Sequence, residues 1–235
     1  MVTNGNQSCV LSAKVNAAFR DRSDIKIREA PDFLLSAFFL LTSAFSLTFP
    51  PDDSGSWKMS RINFDQLKSA IRDIPDFPKP GIIFKDITPI LGDGSLFREV
   101  IDELADEAEK VSPTKVVGID ARGFLFGSAV AYKLGLGCIP VRKKGKLPYR
   151  TVGSSYQLEY GDAEVEMHVD AMRPGERVVL VDDLLATGGT SGAAVDLVQK
   201  VGGVVGAALF VIELEFLCGR SKLPPGVPVY SMVRY

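Results

Sequence analysis

Two adjacent carboxylates, Asp182 and Asp183, stand just ahead of a glycine-bearing turn, Ala186-Thr187-Gly188-Gly189-Thr190. Gly188 and Gly189 let backbone N–H groups converge on one anion, and Thr187 and Thr190 add hydroxyl donors. The turn is not a P-loop, which would read G-x-x-x-x-G-K-[ST], because it holds no lysine. Acids beside a phosphate cradle make sense for a ligand that also presents hydroxyls or a metal. A sugar phosphate with a vicinal diol fits.

The flanking residues say how such a site is held. Val178–Val181 is an aliphatic, mostly β-branched run that reads as a strand buried on both faces. A helical pattern follows from Ser191 to Val201. The turn therefore sits where a strand hands over to a helix, which is where open α/β sheets bind ligands. The helix N-terminus lies behind the turn and favours an anion there.

The stretch Val178–Thr190 resembles the phosphoribosyl-pyrophosphate motif of the type I phosphoribosyltransferases. The resemblance implies that Asp182 and Asp183 hold the ribose 2′- and 3′-hydroxyls. It also implies that Ala186, Thr187, Gly188, Gly189 and Thr190 cradle the 5′-phosphate.

A second corner is predicted upstream. Lys115–Ile119 reads as a buried strand, and Gly118-Ile119-Asp120-Ala121-Arg122-Gly123-Phe124 leads into a helix running to Leu134. Arg122 has two roles consistent with the family, pyrophosphate contact and purine-side contact, of which the first is favoured. A third strand, Cys138–Val141, runs into Arg142-Lys143-Lys144-Gly145-Lys146. Such a charge run is usually a solvated loop. In this family a basic loop offsets the charge of the pyrophosphate leaving group, partly in the neighbouring subunit's site. Arg142, Lys143 and Lys146 carry that role over, with Lys144 a bystander.

Ile74–Pro89 contains Pro75, Pro78, Pro80 and Pro89 and is expected to be an ordered coil. It resembles the base-recognition segment of the adenine phosphoribosyltransferases, P-D-F-P-x-P-G-[IV]-x-F-[RK]-D-I-[ST]-P. The resemblance implies that Phe84 stacks on the purine, that the Ile83 backbone pairs with its edge, and that Lys85 belongs to the same segment. Backbone pairing suits the exocyclic amine of adenine better than a keto purine. Tyr149–Met167 alternates weakly and is polar, like a hairpin or mobile flap. In the family the corresponding loop closes over the ligands and excludes water. Glu159 resembles the family's catalytic acid/base, and Tyr160 a flap residue that positions substrate.

Further elements follow from periodicity. Ser60–Ile71 has a helical pattern in Ile62, Phe64, Leu67 and Ile71, and Ser95–Val111 reads as a helix capped by Ser95. Val204–Ile212 and Val229–Val233 read as strands. Strands alternating with helices predict an α/β fold, a central mostly parallel sheet flanked by helices. The resemblance adds a hood segment and a flexible flap.

The chain has 235 residues, 46% hydrophobic and 24% charged, with a net charge of −2. That suits one good core and argues against nucleic acid as a partner. Cys9, Cys138 and Cys218 have no paired spacing and read as reduced thiols. His168, the lone histidine, is expected on a strand or at the surface rather than in a metal cluster. Residues 1–58 are read as an extension, disordered, processed or non-structural, ahead of a domain at 59–235. Within it Phe33–Phe49 is apolar and charge-free, but short and Ser/Thr-rich for a membrane span. Met59 is a candidate second start. The cytoplasm is the expected compartment, or a plastid or mitochondrion if residues 1–58 act as a transit segment.

The resemblance implies transfer of the phosphoribosyl group from phosphoribosyl pyrophosphate to adenine, giving AMP and pyrophosphate. It further implies a homodimer, and Mg²⁺ bound through the substrate with no direct protein ligand. Two alternatives remain at this stage: an N6-substituted adenine as acceptor, and a non-catalytic regulator that binds phosphoribosyl pyrophosphate.

Overall fold

The apolar runs become the middle of one sheet. The computed structural model describes residues 62–158 and 161–235, so the expectations for residues 1–58, Met59, Glu159 and Tyr160 lie outside the described residues. The strands in chain order are β1 (Arg72–Pro75), β2 (Ile83–Asp86), β3 (Lys115–Ile119), β4 (Gly137–Lys143), β5 (Thr151–Leu158), β6 (Gly161–His168), β7 (Arg177–Leu185), β8 (Val204–Glu213) and β9 (Val229–Arg234). The helices are α1 (Phe64–Ala70), α2 (Thr88–Gly92), α3 (Gly94–Glu109), α4 (Gly123–Leu134) and α5 (Gly189–Lys200). A seven-stranded sheet has the order β5-β6-β4-β3-β7-β8-β9. Strands β4, β3, β7, β8 and β9 run parallel, and β6 and β5 add an antiparallel edge.

Strand β7 lies between β3 and β8, with Val178 opposite Lys115 and Asp182 opposite Phe210. Because strand side chains alternate, β7 feeds both faces of the sheet. Val179 and Val181 join Val100, Leu104, Phe126 and Val130 from α3 and α4. Val178 and Leu180 join Ala194, Val195, Leu197 and Val198 from α5. All four β7 residues are fully buried, and each such side chain contributes about 1.5–3 kcal/mol. The acid pair therefore stands on a strand packed on both faces.

Several boundaries differ from the sequence expectation. The Ile74–Pro89 segment is irregular only at 76–82 and 87: its flanks belong to β1 and β2, which form an antiparallel two-stranded ribbon with Arg72 opposite Asp86, and its last two residues open α2. Ser95 does not cap α3. Asp93 does, its Oδ1 accepting from Ser95 N at 2.9 Å and Leu96 N at 3.1 Å, since a carboxylate one residue before Gly94 reaches both free amides. Helix α1 starts at Phe64 rather than Ser60, because Asn63 Oδ1 takes the amides of Asp65 and Gln66. Phe64 is half-exposed, whereas Ile62, Leu67 and Ile71 are buried. Strand β4 runs on to Lys143, so Arg142 and Lys143 belong to the end of a sheet strand, paired with β6, rather than to a loop. The flap region is a hairpin, β5–β6, with Thr151 opposite His168. His168 closes β6, half-buried, with Tyr149 edge-on at 6.0 Å.

Candidate active site

Three elements end at one place. Strand β7 continues through the acid pair to Leu185, so Asp182 and Asp183 are strand residues at its carboxyl end rather than members of a loop. Asp183 N donates to Asp182 Oδ1 at 2.9 Å, which fixes the first carboxylate. That carboxylate lies at the start of α4: a Cβ placed on Gly123 would fall 2.5 Å from Asp182 Oδ1 and 3.1 Å from Val181 O. Only glycine admits this approach, which brings the positive end of α4 beside Asp182. The β3–α4 corner and the β7–α5 corner thus meet at the acid pair.

Arg122, the residue before α4, pairs with the second acid, its Nε 2.8 Å from Asp183 Oδ2. Its guanidinium also lies over the Phe84 ring, 5.2 Å from the centroid. Phe77 meets Phe84 edge-on at 5.2 Å. So Phe84, Arg122 and Asp183 form a line from the ribbon to the sheet. Asp86 leans the same way: its carboxyl accepts from Thr88 N at 2.9 Å and Thr88 Oγ1 at 2.7 Å. Those bonds hold it below the usual carboxylate range, with Arg72 and Arg122 adding to the effect.

The electrostatics of the pair are uneven. Burial, and then the neighbouring Asp183 charge, push Asp182 well above an ordinary aspartate. Burial also raises Asp183, but Arg122 opposes it. Two carboxylates this close and this dry favour a shared proton until a donor or cation arrives. Ribose hydroxyls are such donors.

The turn after β7 leads into α5 with Gly188 at φ 78° as its cap. Thr190 Oγ1 is hydrogen bonded to Tyr156 Oη at 3.0 Å, and the Tyr156 ring lies against Gly189. Ser154 Oγ donates to Asp196 at 2.7 Å and Lys200 Nζ donates to Gly153 O at 2.9 Å. The base of the hairpin is thereby fastened along α5. A cleft of about 380 Å³ remains between them, bordered by Tyr156, Gly189, Asp196 and Lys222.

Not every expected residue joins this group. Alternation along β2 turns Lys85 away from Phe84; its ammonium sits 2.6 Å from Asp73 and 3.8 Å from the centre of the Tyr235 ring. Ile83 is 56% exposed, with its side chain largely free of the protein. Arg142 lies 3.5 Å from Asp120 Oδ2, donates to Lys146 O at 3.0 Å and covers the Phe124 ring at 6.0 Å. The side chains of Lys143 and Lys146 are exposed, and Lys144 pairs with Glu164 at 2.6 Å. The loop's backbone is held by Glu166, which accepts from Lys146 N and Leu147 N at 3.0 Å each. Burial works against the Glu166 charge, yet these bonds and one from Thr151 keep its carboxyl below the usual range.

Two groups at the site carry no sequence signal of their own. Tyr156 stands in a weakly alternating stretch, and only folding brings it onto Gly189 and Thr190. Gly219 packs against Gly188 from far downstream in the chain, a contact that no local pattern announces.

Comparison with known proteins agrees with this geometry. Residues 91–221 match the phosphoribosyl transferase domain family. The chain is 56% identical over 169 residues to adenine phosphoribosyltransferase of Carboxydothermus hydrogenoformans, covering 72% of this chain and 99% of the relative. It is 54% identical over 171 residues to that of Nitrosococcus oceani, covering 73% and 99%. The crystal structure of the Rhodothermus marinus adenine phosphoribosyltransferase matches with a TM-score of 0.70 at 52% identity, covering 73% of this chain and 98% of that one. The Saccharomyces cerevisiae adenine phosphoribosyltransferase, solved with an imino-altritol bisphosphate and adenine, matches at 0.68 and 40% identity, covering 72% and 97%. With an acid pair, a glycine turn and an arginine beside an aromatic ring brought together on this sheet, the chain belongs to the adenine phosphoribosyltransferase family.

Proposed function

We propose that this chain transfers the 5-phosphoribosyl group from phosphoribosyl pyrophosphate to adenine, forming AMP and pyrophosphate in adenine salvage. The observation that supports the reading is the line Phe84–Arg122–Asp183, in which one arginine joins an aromatic ring of the ribbon to the acid pair at the end of β7. Asp182 and Asp183 take the ribose hydroxyls, and Ala186–Thr190 takes the 5′-phosphate on the N-terminus of α5. Phe84 stacks on adenine while the Ile83 backbone reads its edge. Lys85 supports the ribbon through Asp73 and Tyr235 rather than touching the base.

The leaving pyrophosphate falls to Arg142, Lys143 and Lys146. For Arg122 the pyrophosphate contact favoured from sequence gives way to the purine side, a reading supported by its position over the Phe84 ring and its bond to Asp183. Positive charge builds on the ribose ring as the pyrophosphate oxygen departs, and carboxylates holding the ribose hydroxyls would offset it. Glu159 is assigned the proton on the purine nitrogen, and Tyr160 the closing of the flap. Among the described residues no group of three or more His, Cys, Asp and Glu side chains is placed to hold a metal ion. The hard oxygens of Asp182 and Asp183 suit a substrate that brings Mg²⁺ on its pyrophosphate and hydroxyls, and the bound ion would neutralise the leaving group.

A homodimer is proposed as well. The outer face of α3 and α4 supports it: Tyr132 is 90% and Leu125 47% exposed beside a groove of about 550 Å³ shared with Leu91, Phe97 and Ala129. Among the described residues no helix is long and apolar enough to cross a membrane. The assigned compartment is the cytoplasm, or an organelle if residues 1–58 direct import, and 59–235 is taken as the catalytic domain.

The test is a competition assay with phosphoribosyl pyrophosphate, Mg²⁺ and equal adenine, hypoxanthine, guanine and N6-benzyladenine, the nucleotide identified by mass. AMP as the main product is expected. IMP or GMP would overturn the base assignment, the benzylated nucleotide would shift it to substituted adenines, and no product would point to a binding-only protein.

A further inference from the structure

The expected phosphate turn does not hold its own shape. Gly188 has φ 78°, and a Cβ on it would lie 2.1 Å from Gly219 O. In return, a Cβ on Gly219 would lie 2.2 Å from Ala186 O and 3.1 Å from Gly188 N. One turn further on, a Cβ on Gly192 would meet Lys222 O at 2.8 Å. Three glycines thus make a contact between two backbones with no room for a side chain. The second backbone is the segment after β8, two short 3₁₀ turns at Glu215–Leu217 and Gly219–Lys222, joined through Cys218 at φ 51°.

The start of that segment is tied to β9, through Glu215 N on Tyr235 O at 2.9 Å and Arg234 on Glu215 at 3.5 Å, and its second turn is held by Arg220. Arg220 binds Glu213 with both branches, Nε to Oε1 and Nη2 to Oε2 at 2.6 Å each, and donates from Nη1 to Val229 O at 3.1 Å. Glu213 is buried at the end of β8, and the Arg220 bonds keep its carboxyl below the usual range. Leu214 N donates to Leu185 O at 2.9 Å, so the anchor is tied to the last residue of β7. The path runs from Glu213 through Arg220 to Gly219, and from Gly219 to the backbone of Ala186 and Gly188. A bidentate planar fork sets direction as well as distance, which lysine cannot reproduce.

We propose that Arg220 is a positioning residue for 5′-phosphate binding, acting at a distance by clamping Gly219 against the Ala186–Thr190 turn. The inference rests on the assignment of that turn to the 5′-phosphate. Amides aimed at an anion lose much of their effect when displaced, and a shift of about 1 Å can cost on the order of a hundredfold.

The experiment uses the full chain and three variants: Arg220→Gln, Gly219→Ala and, as a probe of the turn itself, Thr187→Val. Inhibition constants are measured against phosphoribosyl pyrophosphate for ribose 5-phosphate and, separately, inorganic pyrophosphate, at temperatures below each variant's melting point. Arg220→Gln and Gly219→Ala are expected to weaken ribose 5-phosphate about tenfold or more and to leave pyrophosphate and the adenine KM within about twofold. Arg220→Lys should restore little of the loss. If Arg220→Gln lowers the melting temperature but leaves ribose 5-phosphate binding intact while Thr187→Val weakens it, the inference is wrong and Arg220 is structural only. If Thr187→Val has no effect either, the phosphate assignment of the turn has failed first. Should Arg220→Gln not fold, Arg220→Lys decides in its place: a selective loss of ribose 5-phosphate binding supports the clamp and an unchanged constant overturns it.

Discussion

The two ends of the site are built in opposite ways. The acid pair and the turn that follows it grow out of β7, whose Val178–Val181 side chains are fully buried between two helical layers. The base end hangs on the β1–β2 ribbon, a two-stranded unit outside the main sheet, with Phe77 52% and Ile83 56% exposed. Arg122, through its contacts with Phe84 and Asp183, ties the ends together. The rigid end holds charge, where small displacements are costly. The exposed end holds a flat ring, and a stacking contact tolerates more movement than a charged one.

That contrast should appear in mutants, most strongly at the acids. Asp182→Asn is expected to lower kcat by on the order of a hundredfold or more, read by steady-state kinetics, because it removes charge from a prearranged site. The same change should stabilise the ligand-free protein. Burial raises Asp182 above the 3.8 of a free aspartate, so the charged form opposes folding at neutral pH. Asn keeps the acceptor for Asp183 N without the charge. A melting temperature higher by roughly 2–4 °C at pH 7.5 corresponds to about 1 kcal/mol for a domain of this size. The gain should shrink as pH falls toward 4, since protonated Asp182 carries no penalty below its unfolded pKa. A variant that is less stable at pH 7.5 would contradict the electrostatic picture.

Gly188→Ala comes next. Left-handed backbone costs an L-residue about 1–2 kcal/mol, and the approach to Gly219 O adds overpacking of about 1–3 kcal/mol. A drop in melting temperature of roughly 5–10 °C is expected, with a raised KM for phosphoribosyl pyrophosphate. An unchanged melting curve would mean that the turn is not braced by the downstream segment.

At the base end the effects should be smaller and confined to one substrate. Phe84→Ala is expected to raise the adenine KM about tenfold, near the 1.4 kcal/mol that a good aromatic contact supplies, while the phosphoribosyl pyrophosphate KM stays within about twofold. If both constants moved together, the two ends would not be separable. Smallest of all, Tyr156→Phe removes one hydrogen bond to Thr190, worth about 1 kcal/mol, and should raise the phosphoribosyl pyrophosphate KM about fivefold. An unchanged adenine KM in the same titration would place Tyr156 with the rigid end.

Local pattern set down a good part of this molecule. Strand β3 and the end of α4 fall at the residues that periodicity marks, Lys115–Ile119 and Leu134. The strand ahead of the acids and the helix behind the glycines are equally legible, because burial on both faces leaves a continuous aliphatic run and an anion turn needs glycine there. The ribbon was not legible. Prolines argue against a helix, but they also mask two short strands, because β1 and β2 lack the alternating apolar pattern that marks a strand, and Arg72 pairs with Asp86 across the proline-bearing connection. The cap of α3 escaped as well: Asp93 and Ser95 are both good caps, and the choice follows from the extended backbone at Asp93.

The sequence by itself therefore determined residue types and their local order: the acid pair, the glycine turn, the aromatic of the base segment and the cations after β4. Tertiary structure alone decided which of these touch. It brought Arg122 between Phe84 and Asp183, turned Lys85 to Tyr235 from the far end of the chain, and set Gly219 against Gly188. The physical reason is reach. Hydrophobic period and turn chemistry act over a few neighbouring residues, whereas a carboxylate's partner or a backbone's clearance depends on which segments the closed core leaves side by side.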